Sequence, residues 1–314
     1  MTFIEDIKEG ETISSIYLVK TKRQLQTKAG KSYEDITLQD KTGNLNGKIW
    51  DPNSGAIADF DEMDFIEVFG QANMYNGGMQ LNVRRVRKVF PDEYNIADYM
   101  PSSDKDEETM YNELLSYIDG IKNEYYKKAL KYYFVENKEF IASFRSHSAA
   151  KTVHHGFAGG LLEHTLAVVR ISDFFANTYD FLNRDLLLTG AITHDIGKTR
   201  ELSDFPSNDY TDEGNLIGHI VIGVEMIDEA VRSIPDFPVV LANEWKHLIL
   251  AHHGELEFGS PKRPSLAEAF ALNFADVADS KLQTLKELFK EKKGEGWLGY
   301  QRLFDSNIRR TSEE

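Results

Sequence analysis

Histidine and aspartate side chains that could bind metal ions are concentrated in the second half of the chain. All nine histidines lie within residues 147–253. His194 and Asp195 are adjacent and follow an apolar segment, residues 186–192, whose length and spacing predict a buried helix that ends at Gly197. An imidazole beside a carboxylate offers a nitrogen and an oxygen ligand to a divalent ion. Such a pair is usually structural when it stands alone, so its meaning depends on the other histidines.

Further candidate ligands lie at the ends of other predicted helices or inside them. His164 follows a pair of glycines at the start of one helix, and His219 lies in the first turn of another. His252 and His253 end a third helix, and the glycine that follows them is the predicted C-cap. Asp276 lies inside an apolar helix, where an unpaired carboxylate would be costly. Each of these helices therefore contributes to one candidate set of metal ligands.

The composition limits the kind of metal site that this set could form. The chain contains no cysteine, so thiolate ligands and disulfides are excluded, and histidine, aspartate and glutamate are the available ligands. Imidazole and carboxylate favour Mn, Fe, Co, Ni or Zn over Mg or Ca, without distinguishing among them. Two ions a few ångströms apart would need about four protein ligands each and a bridging carboxylate.

The order of these residues, which is His, His-Asp, His, His-His and Asp on separate helices, resembles the HD-domain superfamily of metal-dependent phosphohydrolases over residues 151–290. The resemblance implies that one ion is bound by His164, His194, Asp195 and Asp276. It implies that a second ion is bound by Asp195 as the bridge, with His219, His252 and His253. Members of this kind commonly use Mn or Co. Two such ions would lower the pKa of a water between them, so that hydroxide could attack phosphorus at neutral pH.

Two further groups are candidates for contact with a phosphate. Lys198 and Asp195 are the candidate catalytic residues, because HD enzymes often have a lysine that contacts phosphate at the position of Lys198; a helix C-terminal lysine favoured by the helix dipole is the alternative. Lys151, His154 and His155 lie in a polar segment next to glycines, which suits a loop that contacts substrate phosphates. The alternative for these histidines is a hydrogen-bonded position at a helix start.

Residues 1–90 have a different pattern, in which apolar side chains alternate with period two. Glycine-containing turn signals separate the runs, and the last two runs are joined by Asn-Gly-Gly. Five strands with an irregular insert after the third, residues 51–61, are typical of an OB-fold barrel, which binds oligonucleotides along one face. The segment resembles the OB modules found beside nucleases and synthetases, especially in residues 35–43.

Strand faces that bind single-stranded nucleic acid interleave aromatic and basic side chains. The candidates for this role in the barrel are Tyr33, Trp50, Tyr75, Arg84 and Arg87. The alternative is that Tyr33 and Trp50 pack the barrel interior and that the arginines form a solvated edge. For the segment as a whole, we favour nucleic-acid binding.

The remaining segments complete a multidomain α and β fold, in which a five-stranded OB-fold barrel precedes an all-α HD domain. Residues 91–150 read as a linker with acidic and turn-forming residues, followed by amphipathic helices. Residues 291–314 form a C-terminal tail. Its arginines could reach nucleic acid, although packing of Trp297 and Phe304 on the helical domain would explain the tail equally well.

The net charge of −15 argues against a surface that binds phosphate everywhere. Residues 1–100 are less acidic, since they hold 12 Lys and Arg against 16 Asp and Glu, a net of −4 against −11 for the rest. No apolar run approaches the roughly 18 residues of a membrane helix, and the N-terminus lacks the pattern of a signal peptide. We therefore expect a cytoplasmic protein with no membrane partner. The sequence leaves self-association open.

The joined pattern of OB barrel and HD domain resembles the YhaM-type 3′→5′ exoribonucleases of bacteria over nearly the whole chain. The resemblance implies hydrolysis of phosphodiester bonds from the 3′ end of single-stranded RNA, and also of single-stranded DNA, with release of nucleoside 5′-monophosphates. One alternative is an HD-type nucleotide phosphohydrolase that acts on dNTPs or cyclic dinucleotides. Another is a non-catalytic factor that binds single-stranded nucleic acid.

Overall fold

The computed structural model describes residues 1–100, 105–150, 157–291 and 295–312. Two compact units make up the chain. One contains Met1–Ser102 and Asp204–Ser207, and the other contains Ser103–Ser203 and Asn208–Glu314.

The first unit is a closed five-stranded barrel. Its strands are β1 (Thr12–Gln26), β2 (Ser32–Asp40), β3 (Gly43–Ile49), β4 (Phe65–Tyr75) and β5 (Gly78–Lys88), in the order β1-β2-β3-β5-β4. β3 and β5 are parallel, and the other neighbouring pairs are antiparallel. This is the predicted OB-fold barrel, so that prediction is confirmed.

Alternation along the strands places the apolar side chains inside the barrel. In β3, Leu45 and Ile49 are buried, and Gly47 lies between them, where a Cβ would come within 2.9 Å of Ile36 Cγ1. The turn between β4 and β5 has positive φ at both Asn76 and Gly77, as the Asn-Gly-Gly sequence predicts. The insert after β3 is a loop with an isolated bridge between Ile57 and Val86.

The segment that follows β5 packs on the barrel. Tyr94 stacks on Phe65 at a ring distance of 4.0 Å, and Tyr99 meets the same ring edge-on at 5.0 Å. The side chain of Gln39 donates a hydrogen bond to the carbonyl of Tyr99 at 3.1 Å. The barrel unit therefore includes residues that the sequence analysis assigns to the connector.

The second unit is helical. Its helices are α1 (Glu107–Asp119), α2 (Glu124–Lys131), α3 (Lys138–Ser146), α4 (Gly160–Thr178), α5 (Arg184–Thr193), α6 (Lys198–Glu201), α7 (Asp212–Leu216), α8 (His219–Arg232), α9 (Val239–Ala251) and α10 (Ala267–Glu291). A π-helical turn, Tyr132–Glu136, joins α2 to α3. After α10, β6 (Trp297–Gln301) and β7 (Ser306–Arg309) form an antiparallel hairpin.

One apolar core holds the helical unit together. It contains Leu114 of α1, Tyr126 of α2 and Phe144 of α3 together with residues of α4, α5, α8, α9 and α10. The helices of the predicted connector are thus part of the same core as the helices that carry the candidate ligands. Among the described residues, no helix is both long enough and apolar enough to cross a membrane.

Candidate metal centre

The helices of the second unit bring all seven predicted ligands together. His164 lies in the first turns of α4, His219 is the first residue of α8, and Asp276 lies near the middle of α10. His252 and His253 follow α9 directly, where Gly254 adopts the predicted positive φ of 80°. The side chain of Asn273 donates to the carbonyl of His252 at 2.7 Å and so fixes this helix end against α10.

The predicted end of the fifth helix is wrong. α5 ends at Thr193 rather than at Gly197, and His194, Asp195 and the two residues after them form tight turns before α6. Successive residues of a helix point about 100° apart. The turn instead lets the adjacent side chains of His194 and Asp195 face the same place, where their Nε2 and Oδ2 atoms are 3.3 Å apart.

The first ligand group consists of His164, His194 and Asp276, whose ligand atoms all lie within 4.8 Å of one another. His164 Nε2 is 3.1 Å from His194 Nε2 and 3.3 Å from Asp276 Oδ1. It is also 3.4 Å from Asp195 Oδ2. One oxygen of Asp195 therefore faces this group.

The second ligand group consists of His219, His252 and His253, again within 4.8 Å. Here the other oxygen of Asp195 is the neighbour, since Oδ1 lies 3.6 Å from His219 Nε2 and 3.8 Å from His252 Nε2. The two oxygens of Asp195 thus face different ligand groups, as a carboxylate that bridges two ions would.

Every histidine of the centre has its Nδ1 atom fixed by an oxygen, which sets the orientation of the ring. Three of these oxygens are backbone carbonyls: Ala191 O for His194 at 2.9 Å, Ile249 O for His252 at 2.7 Å, and Phe258 O for His253 at 2.8 Å. Because a carbonyl only accepts, these three rings carry the proton on Nδ1 and present a bare Nε2 to the centre.

The other two histidines are held by carboxylates. His164 Nδ1 is 2.7 Å from Asp279 Oδ2, and His219 Nδ1 is 2.9 Å from Glu201 Oε1. Neither Asp279 nor Glu201 is among the site residues predicted from the sequence. Spacing could have identified Asp279, because it follows Asp276 by three residues in the same helix and therefore lies on the same face. Glu201 had no such signal, because α6 is only four residues long.

The environment of the Nε2 atoms fits cations. Asp195 Oδ1, His219 Nε2 and His252 Nε2 are buried and have no hydrogen-bonding partner among the described residues, which is costly for polar atoms. The Nε2 atoms of His164 and His194 face each other at 3.1 Å, although both rings have their protons directed to oxygens through Nδ1. Two nitrogen lone pairs at that distance repel each other unless a proton or a metal ion binds to them.

The carboxylates of the centre are ionised. Burial alone would raise the pKa of Asp195, but the charge of Lys198 and the hydrogen bond with His164 outweigh burial and hold that pKa well below its usual value. Burial also acts to raise the pKa of Asp276, and its hydrogen bond with His164 outweighs this and lowers the pKa. Two buried carboxylates therefore keep their negative charge at neutral pH.

The pKa values of His164 and His252 shift in opposite directions. Burial alone would lower the pKa of His164, but hydrogen bonds with Asp195, Asp276 and Asp279 outweigh it and raise that pKa well above its usual value. Burial lowers the pKa of His252 well below its usual value, so this ring is neutral, as a metal ligand must be. At His164, a metal ion would replace the Nε2 proton, which faces Asp195 and Asp276.

Lys198 lies at the edge of the centre and faces a pocket. Its Nζ is 2.6 Å from Asp195 Oδ2, and although burial alone would lower its pKa, the charge of Asp195 raises it, so the ammonium stays charged. The pocket has a volume of about 200 Å³ and is lined by Ala149, Ala150, His164, Asp195, Lys198, His253, Asp276 and Ser280. The predicted substrate residues Lys151, His154 and His155 lie outside the described residues, directly after Ala150.

Two of the predicted aromatic residues of the barrel lie together on its outside. The rings of Tyr33 and Trp50 are 5.0 Å apart, and Trp50 is 45% exposed, so it does not pack the barrel interior. Its Nε1 donates to Asn82 Oδ1 at 3.1 Å, which fixes the indole ring. Lys48 Nζ lies 5.4 Å from the centre of the Tyr33 ring. We call Tyr33, Lys48, Trp50 and Asn82 the barrel platform.

The two predicted arginines have different surroundings. Arg84 is exposed and lies where the pairing of β4 and β5 shifts register. Arg87 binds Glu67 at 2.7 Å and Glu93 at 2.8 Å, and the hydrogen bonds with Glu93 and then Glu67 raise its pKa. Because its charge is already matched by carboxylates, Arg87 is the weaker candidate for a phosphate contact.

Comparisons were made with protein families and with solved structures. The model of the HD domain family matches residues 161–281, which include all seven candidate ligands. The second OB-fold domain of replication protein A from Methanococcus maripaludis, solved by NMR, aligns with 28% of this chain and 93% of its own at 18% identity and a TM-score of 0.22.

Curated relatives align over most of the chain. The 3'-5' exoribonuclease YhaM of Listeria welshimeri is 34% identical over 92% of this chain and 91% of its own length. The protein of the same name from Bacillus subtilis is 34% identical over 91% of this chain and 90% of its own. A chain that aligns with these enzymes from barrel to helices, and that gathers an HD ligand set at its centre, belongs to the YhaM family of 3'-5' exoribonucleases.

Proposed function

We propose that the helical unit hydrolyses the last phosphodiester bond at the 3′ end of single-stranded RNA, releases nucleoside 5′-monophosphates, and accepts single-stranded DNA as well. Two divalent ions, manganese or cobalt, would be held by the seven ligands. The observation that carries this proposal is the orientation of Asp195, whose two oxygens face separate ligand groups. A single structural ion would need only one of these groups.

The candidate ligands and Lys198 have different roles in the proposed reaction. When bound, two such ions neutralise charge on the phosphoryl oxygens and lower the pKa of water. The Nδ1 contacts hold the rings of His194 and His252 so that neither reorients during the reaction. Lys198 keeps its positive charge at the pocket, where it can contact a phosphate oxygen as negative charge develops.

The barrel platform supports binding of a strand rather than of a free nucleotide. Exposed aromatic rings stack on bases without regard to sequence, and a nearby ammonium attracts the backbone. Trp50 and Tyr33 provide the rings, and Lys48 provides the charge, although Asp35 also binds its ammonium at 2.7 Å. This surface raises affinity for the substrate and does not take part in the chemistry.

The decisive experiment follows 5′-labelled RNA incubated with the enzyme and Mn²⁺. We expect wild-type protein to give labelled products that shorten one nucleotide at a time, with nucleoside 5′-monophosphates released. Asp195→Ala removes the bridge between the ligand groups, so no shortening is expected, whereas Asp180→Ala, at an exposed position in the same unit, should degrade RNA like wild type.

Other results would separate the competing functions. Hydrolysis of dNTPs or cyclic dinucleotides without shortening of RNA would identify a nucleotide phosphohydrolase. RNA binding with neither reaction would identify a non-catalytic factor. Chelation should stop the reaction, and Mn²⁺ or Co²⁺ should restore it better than Mg²⁺ or Ca²⁺, since imidazole ligands favour the former pair.

A further inference from the structure

The C-terminal hairpin has one face on which aromatic and polar side chains are exposed together. In the pairing of β6 and β7, Trp297 is opposite Arg309 and Tyr300 is opposite Asn307. β6 has an irregularity between Trp297 and Gly299, so the alternation is taken from β7. Asn307 and Arg309 are two positions apart in that strand, so their side chains and those of the residues opposite them share one face. Trp297 is 69% exposed and Tyr300 is 58% exposed. We call this set the hairpin face.

The hairpin is attached to the C-terminal end of α10 through its other side. The guanidinium of Arg310 lies 5.0 Å from the centre of the Phe289 ring and donates to the carbonyl of Phe289. The backbone of Arg310 donates to Gly296 O at 2.9 Å, which closes the base of the hairpin. The packing of Trp297 on the helical domain that the sequence analysis considered is wrong, because its side chain is exposed.

The charge of the tail differs from that of the chain around it. Residues 291–314 carry five Lys and Arg against five Asp and Glu, a net of zero in a chain whose net charge is −15. The guanidinium of Arg309 donates to the carbonyl of Arg310 at 2.9 Å and to Ser312 Oγ at 3.2 Å, so among the described residues its hydrogen-bonding partners are uncharged. The aspartate of the hairpin, Asp305, accepts a hydrogen bond from Tyr300 Oη and thereby holds the Tyr300 ring.

We propose that the hairpin face binds the single-stranded substrate on the 5′ side of the reacting end, with bases stacked on Trp297 and Tyr300 and a phosphate at Arg309. The inference deepens the proposed function and rests on it. Exposed rings beside arginine and an amide match the chemistry of a single strand, because every base has a face that stacks and every linkage carries a negative charge.

The position of the hairpin sets the length of strand that can reach it. Asp276 and Phe289 lie 13 residues apart in the continuous helix α10. At about 1.5 Å per residue, this separation is about 20 Å, which is about six nucleotides at the ~3.4 Å spacing of stacked bases. A dinucleotide bound at the metal centre is therefore too short to contact the hairpin face.

The test compares substrates of two lengths. We expect Trp297→Ala and Tyr300→Ala each to raise KM for an RNA of about 20 nucleotides by about five-fold or more, with kcat unchanged, since base stacking on one ring has at least that effect. KM for a dinucleotide should not change. Trp297→Phe retains a ring and should restore most of the affinity. Leu303→Ala removes an apolar side chain that is similarly exposed, at 59%, but lies outside the hairpin face, and it should behave like wild type.

Direct binding provides a measure that does not depend on cleavage. In fluorescence anisotropy with labelled RNA, Arg309→Ala should reduce the slope of log K against log salt by about 0.7, the value for one phosphate contact on a single strand. If wild type fails to shorten RNA, the proposed function fails, and the binding of Trp297→Ala still decides the role of the hairpin.

Three outcomes would overturn the inference. One is an unchanged KM and an unchanged binding constant for the long RNA in the double variant Trp297→Ala/Tyr300→Ala. Another is an equal loss for the dinucleotide, which would indicate a disturbed metal centre. The third is a change in molecular mass by light scattering in Trp297→Ala but not in Leu303→Ala, because the occupant of the hairpin face would then be a second copy of the chain. Circular dichroism of each variant confirms that it is folded.

Discussion

At the scale of single residues, the centre differs from a chance cluster of histidines in how its rings are held. Each of the two ligand groups contains one histidine backed by a carboxylate, His164 with Asp279 and His219 with Glu201. The remaining rings are backed by carbonyls. A carboxylate makes the ring a stronger base and therefore a stronger ligand, so each ion would gain one strengthened histidine.

Replacing the partner of His164 tests this arrangement. Asp279→Asn keeps the size of the side chain and its hydrogen bond but removes the charge, so we expect metal affinity to fall by about 10- to 100-fold. Isothermal titration with Mn²⁺ measures the affinity, and Asp180→Asn, exposed in the same unit, serves as the control. An affinity equal to that of wild type would show that Asp279 only fills space.

At the scale of elements, the sequence predicts the helices of the centre better than the turns between them. Periodicity and glycines identify α4, α8, α9 and α10, because each has an apolar stripe of sufficient length. They do not identify the end of α5, because the residues after Thr193 stay buried although the backbone turns. The buried partner Glu201 was missed for a related reason, since a helix of one turn has no period.

Gly197 explains why that turn needs a glycine. A Cβ at this position would lie 2.0 Å from the carbonyl oxygen of His219 and 2.8 Å from the backbone nitrogen of Gly223, so α8 could not pack where it does. We expect Gly197→Ala to lower the free energy of unfolding by about 3 kcal/mol, as for other overpacked sites, and to displace His219 from Asp195.

Urea denaturation and Mn²⁺ titration of Gly197→Ala measure these two effects. Gly55→Ala is the matched control, because a Cβ at Gly55 has open space around it, and its stability should stay within about 0.5 kcal/mol of wild type. If Gly197→Ala unfolds at the same urea concentration as wild type, the contact between Gly197 and α8 does not constrain the centre.

At the scale of the whole molecule, the order of the two folds follows from the sequence, whereas the boundary does not. Alternation ends at β5, so the pattern predicts a domain end near residue 90. The next residues belong to the barrel unit through the rings of Tyr94 and Tyr99 on Phe65. Isolated aromatic residues in a segment without periodicity give no signal of what they pack against.

The two units should contribute separately to binding and to chemistry. Trp50→Ala removes a ring of the barrel platform, so we expect the affinity for an RNA of about 20 nucleotides to fall about five-fold or more. The rate of hydrolysis of a small phosphodiester should stay unchanged. Binding by anisotropy and hydrolysis by absorbance measure the two quantities. Phe90→Ala, at an exposed position off the platform, is the control, and a loss of ester hydrolysis in Trp50→Ala would contradict the separation.

The ligands of the centre come from five segments of the chain, between His164 and Asp276. An ion bound by all the residues of one ligand group would cross-link the segments that carry them. Asp195 faces both groups and would connect the two cross-linked sets. An ion that binds only to the native state opposes local opening of the structure. Chelating agents would therefore do more than halt catalysis, because the loosened helices would become easier targets for proteases, and metal supply would govern how long each enzyme molecule survives.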